Sequence, residues 1–146
     1  MKHTAVWLAL LAVASAAAAC KEHEFHPPDR DAQVAEAEGR FAHISFDTIQ
    51  WPDSAARLQF GNEVYASHCR KCHGTMGEGG TEYAAAQGKD VPSLVRPDWP
   101  YDSIQSVRRR VFAGHAEGMP SWGVGRLTDR EIDAVSFYVL HGLRSR

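Results

Sequence analysis

Two cysteines and a histidine fall within five residues, Cys69-Arg70-Lys71-Cys72-His73, and whatever those side chains bind must be accommodated by the fold around them. Structural zinc wants four ligands, and a cysteine pair is normally answered by a second pair downstream. None follows, because the later histidines, His115 and His141, are far apart and make a poor second half. A redox dithiol wants a strand–helix–strand setting. Here the flanking sequence reads as helix.

The third reading is covalent attachment of c-type haem, for which C-x-x-C-H is the signature. Sulfurs one helical turn apart can each bond a vinyl group on one porphyrin edge, and the next residue then projects its imidazole at the iron. Opposite that histidine the iron takes methionine, a second histidine, or nothing. Met76 is too near His73 in the chain to cross the ring. Met119 lies far downstream in AGHAEGMPSWG, with glycines on both sides and Pro120 fixing its exit. A lone methionine is often core filler, but one in a Gly-Met-Pro loop has no helix face to fill. His115 in the same loop is the rival ligand, its alternative being a solvent-facing loop histidine.

Helical patterning surrounds these residues. Pro52, Asp53 and Ser54 start one helix, whose apolar Leu58, Val64 and Tyr65 run into Cys69. Asp102 or Ser103 starts a second, with Ile104, Val107 and Val111 on one side. Thr128 and Glu131 have capping-box spacing ahead of Ile132, Val135, Val139 and Leu143. No segment reads as a paired strand. The fold class is therefore all-α, three to four helices with long loops, and such a domain has a thin core for its size. A haem fills that gap, and the chain without it is expected to be largely unfolded. Gly74, Gly77, Gly79 and Gly80 read as a tight exit around the porphyrin edge.

Ahead of the domain, residues 1–19 have Lys2, an apolar stretch from Ala5 to Val13 and then small residues, the layout of a secretory signal. Cys20 follows Ala17, Ala18 and Ala19, which resembles the lipobox of bacterial lipoproteins and implies a lipidated N-terminus at Cys20. That pattern usually has Leu where Ala17 stands, so cleavage after Ala19 without lipid is the alternative. Losing 1–19 removes Lys2 alone and takes the net charge from -2 to -3. Nucleic acid is a poor partner for so mildly acidic a chain. Residues 20–50, broken by Pro27, Pro28 and Gly39, read as a flexible tether and strap, with a short helix over Asp31 to Glu38 and an extended run from Phe41 to Trp51 along the domain surface. Trp51 would anchor it.

From Ser54 to Leu143 these residues resemble the class I cytochrome c family. Gly61, Val64 and Tyr65 ahead of CRKCHG are similar to its first helix, where a glycine lets the last helix cross closely. Tyr138 resembles the aromatic at that crossing, and GMPSW the sixth-ligand loop. Pro92, in VPSL, is similar to the proline whose carbonyl holds the axial histidine's Nδ1 proton, although Val91 stands where the family has glycine. The resemblance implies a cytochrome c domain at 51–146 with one haem c, covalent through Cys69 and Cys72, its iron ligated by His73 and Met119. It implies a one-electron carrier between periplasmic or membrane redox partners, alone or as the cytochrome subunit of a respiratory complex or dehydrogenase. The alternative is a peroxidase or gas sensor with an open or labile sixth iron site. Trp99 and Trp122 either reach a propionate or simply pack. Arg108, Arg109 and Arg110 read as a solvated face, and His68 and His141 as solvated histidines.

Overall fold

The computed structural model describes residues 29–145. The leader expected at 1–19, the lipidation expected at Cys20 and the first part of the tether lie outside the described residues. Within them there is no strand. Long loops join six α-helices: α1 (Arg30–Phe41), α2 (Ser54–His68), α3 (Arg70–His73), α4 (Glu82–Ala86), α5 (Ile104–Ala113) and α6 (Asp129–Tyr138), the last running into a π-helical turn over Val139–Leu143. No helix among the described residues is long and apolar enough to cross a membrane.

The helix starts follow local chemistry. Asp53 accepts from the Ala56 N–H at 2.7 Å and opens α2. Ser103, rather than Asp102, opens α5: its hydroxyl accepts from Ser106 N, and the Ser106 hydroxyl accepts in return from Ser103 N. Thr128 and Glu131 make the expected capping box of α6, Thr128 N donating to Glu131 Oε2 at 2.8 Å. Each such cap stabilises its helix by about 1 kcal/mol.

Helices α2 and α6 form the centre of the fold, and Gly61 allows their crossing. A Cβ built on Gly61 would fall inside contact distance of the Ala134 carbonyl and 2.8 Å from Tyr138 Cβ. Tyr138 then sets its ring 5.6 Å from that of Tyr65, a tilted pair within the same crossing. Ile132, Val135 and Tyr65 are almost fully buried there.

In the described part of residues 20–50, the short helix expected over Asp31 to Glu38 is present and runs longer, but the segment packs on the core where a flexible tether was expected. Here α1 is a three-turn helix opened by Asp29, which accepts from Asp31 N and Ala32 N. One narrow stripe, Ala37 and Phe41, is buried, and the stripe lies against α5. Beyond it, turns at 42–43 and 47–48 interrupt the run expected to be extended, and Phe46 enters the core at 4% exposure. The Phe41 ring lies 5.6 Å from that of Phe112 and 5.9 Å from that of Phe46. Two or three aromatic anchors are enough to dock so polar a segment, since each fully buried one is worth about 1.5–3 kcal/mol.

Trp51 anchors this segment through an acidic residue at the heart of the molecule. Its indole Nε1 donates to Asp133 Oδ2 at 2.7 Å. The other carboxylate oxygen receives Arg57 from α2 and Arg108 from α5. Asp133 is 1% exposed. The guanidiniums also lie on aromatic faces, Arg57 at 4.1 Å over Phe137 and Arg108 at 4.7 Å over Phe46. Arg108 is therefore a largely enclosed tie and not part of a solvated face. Its neighbours diverge from it: Arg109 pairs with Glu38 on α1, and Arg110 lies 5.0 Å over Tyr101.

Candidate functional site

The attachment motif sits at the point where the chain leaves the central helices. Cys69 closes α2, and Cys72 and His73 lie on the single turn of α3. Gly74 then leaves that turn at φ 83, and Gly77, Gly79 and Gly80 also take positive φ, which L side chains rarely adopt. This glycine run folds back on the motif. Gly79 N donates to the His73 carbonyl at 2.8 Å, Leu94 N to Gly77 O at 2.7 Å, and the Tyr65 hydroxyl to Gly74 O at 2.8 Å. Thr81 Oγ1 donates to the Lys71 carbonyl at 2.7 Å, which fixes the far end of the return.

Opposite this stitched loop lies a cavity of about 670 Å³. That volume is in the usual range for a bound organic group, ~300–1,000 Å³. Cys69, Cys72, His73, Pro92 and Met119 all line it, so residues remote in sequence meet at one hollow. Its walls are otherwise apolar and aromatic, among them Leu94, Trp99, Val111, Trp122 and Val135. Four cations, Lys71, Lys89, Arg96 and Arg110, lie around it against two carboxylates, Asp90 and Glu117.

Burial decides the protonation of the motif. Enclosure pushes the Cys69 thiol up to about 12, and the neighbouring Cys72 adds to the shift. A redox dithiol has the opposite need, a depressed pKa that exposes thiolate. Burial likewise pushes His73 down to about 4, helped by repulsion from His115. At neutral pH its imidazole is uncharged with a lone pair to offer. Tyr65 is raised too, by burial first and by Cys69 next. Among the described residues no three His, Cys, Asp or Glu side chains are placed to hold a metal ion by themselves, as structural zinc would require.

Met119 reaches the cavity from the loop after α5, and that loop is built to close approach. A Cβ on Gly114 would collide with the Met119 and Pro120 carbonyls. Ser121 Oγ donates to Ala113 O at 2.7 Å, and Gly123 N donates to Phe112 O at 3.1 Å. Gly123 has no room for a side chain beneath the Phe112 ring. The stretch from 119 to 123 is thus laid back along the C-terminal end of α5.

Pro92 lines the cavity as expected, but the hydrogen bond expected of it is not made. His73 Nδ1 is buried without a partner. The Val91 carbonyl instead accepts from Gly80 N at 2.9 Å, and the carbonyls of both Val91 and Pro92 crowd the position a Gly79 Cβ would take. Trp99 and Trp122 are cavity walls; Trp99 makes an edge contact with Tyr101, and Trp122 one with His68. His68 and His141 are exposed. Arg57 and Asp133 escaped the sequence reading, because a lone aspartate inside a helix carries no mark of burial.

The residues present fit a haem: an apolar hollow of sufficient volume, two thiols and a neutral imidazole from one turn, a thioether from another loop, and surplus positive charge for an acidic group. Among known proteins, residues 56–139, more than half of the chain, match the family described as cytochrome c oxidase, cbb3-type, subunit III. The cbb3-type cytochrome c oxidase subunit CcoP of Rhodobacter capsulatus is 30% identical over 95 residues, 60% of this chain and 30% of that protein. Cytochrome c6 of Gracilaria tenuistipitata var. liui is 29% identical over 99 residues, 68% of this chain and 84% of its own. Chitin synthase 5 of Exophiala dermatitidis is 31% identical over 116 residues, 74% of this chain but 6% of that protein. The chain therefore spans less than a third of the CcoP subunit and a small part of the synthase. No solved structure matches it.

Proposed function

The chain belongs to the family of subunit III of cbb3-type cytochrome c oxidase, a family of c-type cytochrome domains, and from that premise we propose that it is a mono-haem cytochrome c carrying single electrons between larger redox partners. The observation that carries the reading is the shared cavity: Cys69, Cys72 and a neutral, partly buried His73 face the same hollow as Met119.

Cys69 and Cys72 would hold haem c through their sulfurs, which lie one helical turn apart. His73 and Met119 would be the residues that hold its iron, one from each wall of the cavity. What the cofactor supplies is a reversible ferric–ferrous couple, whose potential methionine ligation opposite histidine raises. The chain does the rest. Desolvation keeps His73 unprotonated, the walls at Leu94, Trp99 and Val135 exclude water, and the cations at the rim offset acidic substituents. Pro92 borders the histidine side. With His73 and Met119 both engaged by the iron, a substrate would have no place to bind there, and the protein would act as a carrier rather than an enzyme.

Upstream, residues 1–19 act as an export signal and Cys20 as the lipidated mature N-terminus, so that the domain works on the periplasmic side, held to the membrane. Its partners are redox proteins or a membrane respiratory complex, a reading that the likeness to the CcoP oxidase subunit supports. The test is spectroscopic. Protein made in a host that attaches haem should give an alkaline pyridine spectrum of c-type haem that is lost with Cys69→Ala/Cys72→Ala. Its ferric form should show a methionine-to-iron charge-transfer band that is absent in Met119→Ala. Colourless protein with free dithiols sinks the reading, and high-spin iron at rest moves it to a peroxidase or gas sensor. Mass spectrometry of the mature N-terminus decides Cys20, since a free thiol there removes the anchor.

A further inference from the structure

The loop that brings Met119 to the cavity carries a second metal-binding side chain. His115 lines the same hollow as His73 and Met119. Its position follows from the loop's own hydrogen bonds. His115 N donates to Met119 O at 3.0 Å, and Gly118 N donates to His115 O at 3.2 Å, so residues 115 and 119 form the two sides of one closed turn. Gly114 and Gly118, at φ 69 and 141, flank His115 at the bends of this loop. Lys89 Nζ donates to Gly118 O at 3.1 Å and ties the turn to the cavity wall.

The chemistry of the ring is equally specific. His115 Nδ1 lies 2.8 Å from Glu117 Oε2. A carboxylate only accepts, so Nδ1 carries the proton, and in the neutral ring Nε2 is the nitrogen that keeps a lone pair. Carboxylate–histidine pairing of this kind is what orients metal-binding imidazoles and makes them stronger donors. His73 has no such partner on Nδ1. Of the imidazoles lining the cavity, His68, His73 and His115, the one hydrogen-bonded to a carboxylate is the one in the Met119 loop.

We propose that His115 is a reserve axial ligand, binding the haem iron through Nε2 whenever the Met119 thioether is off it. The inference rests on the reading of Met119 as the resting ligand of a covalently held haem. Exchange of thioether for imidazole keeps the sixth position closed, so loss of Met119 does not convert the carrier into a gas-binding protein. It also lowers the potential, because methionine opposite histidine favours the reduced state more than two histidines do.

The experiment uses the full holoprotein and its variants Met119→Ala, His115→Ala and Met119→Ala/His115→Ala, with far-UV dichroism to confirm that each is folded. Electron paramagnetic resonance of the ferric forms and carbon monoxide uptake by the ferrous forms are the readouts. Met119→Ala should lose the charge-transfer band yet stay low-spin with two imidazoles and resist carbon monoxide. The double variant should turn high-spin and bind it readily. A high-spin Met119→Ala that takes up carbon monoxide as the double variant does overturns the proposal. So does a double variant that remains low-spin, since another side chain then fills the place. Failure of the underlying reading looks different. A wild type without the charge-transfer band removes Met119 from the iron, and if His115→Ala alone then turns it high-spin, His115 is the resting ligand and no reserve.

Discussion

Truncating Phe41 tests whether the segment ahead of the family-matched residues is part of the cooperative core or an appendage. Phe41 is 8% exposed and touches Phe112, which in turn lies on Gly123 behind Met119. Replacing a buried phenylalanine by alanine costs about 3–5 kcal/mol. Phe41 sits on a peripheral helix whose neighbours can partly collapse, so the low end, about 3 kcal/mol, is the expected value for Phe41→Ala. For a domain of this size that lowers the melting temperature by roughly 10 °C. The assay is a thermal melt of the ferric holoprotein followed both by far-UV dichroism and by the methionine-to-iron band. Both signals should fall together and early, because the strain passes from α1 through Phe112 to the Met119 loop. Glu38→Gln, which removes only the exposed partner of Arg109, should change little, as surface ion pairs contribute about 0–1 kcal/mol. A Phe41→Ala melt within about 2 °C of wild type would refute the reasoning and return residues 29–53 to the status of a tether.

Three other outcomes follow from the same geometry. Gly61→Ala forces α2 and α6 apart at the Ala134 carbonyl, and we expect at least the ~1–3 kcal/mol of overpacking, read as a lower denaturant midpoint with an unchanged slope. Asp133→Asn keeps the shape but strands two enclosed guanidiniums; breaking a buried pair costs about 3–5 kcal/mol, checked by urea unfolding against an Arg109→Gln control. The folded-state pKa of His73 lies below its unfolded value, so the unfolded chain binds the extra proton as pH falls from about 6.5 to about 4. Stability should thus be full above that window and decline through it on acidification, and an acid titration that releases the histidine near 6.5 would contradict the burial of its ring.

What could be read from the sequence was local. Asp53, Thr128 and Glu131 begin their helices within three or four residues of the groups they satisfy, and the motif from Cys69 to His73 spans a single turn. The loop setting of Met119 was legible because glycine and proline around it exclude a helix, and the structure places that loop at the cavity. The α1 docking was hidden for the opposite reason. Most of its residues are polar and exposed, and two apolar contacts with a partner remote in the chain hold it down. Asp133 was hidden more deeply, since its partners Trp51 and Arg57 are 82 and 76 residues away. Pro92 shows the limit of resemblance: the residue is at the cavity, while its carbonyl is turned toward the glycine loop.

The crossing at Gly61 sets an order of events for assembly. Helices α2 and α6 come from opposite ends of the matched domain, and contacts so distant in sequence form late, after the loop-closure entropy between them has been overcome. Cys69, Cys72 and His73 need only the end of α2 and one following turn. A folding chain can therefore present Cys69, Cys72 and His73 while the cavity is still open on the side that α5, Met119 and α6 will close. Closure of the last helix over Gly61 then seals the hollow, making the end-to-end contact a latch on a site whose local turn is already formed.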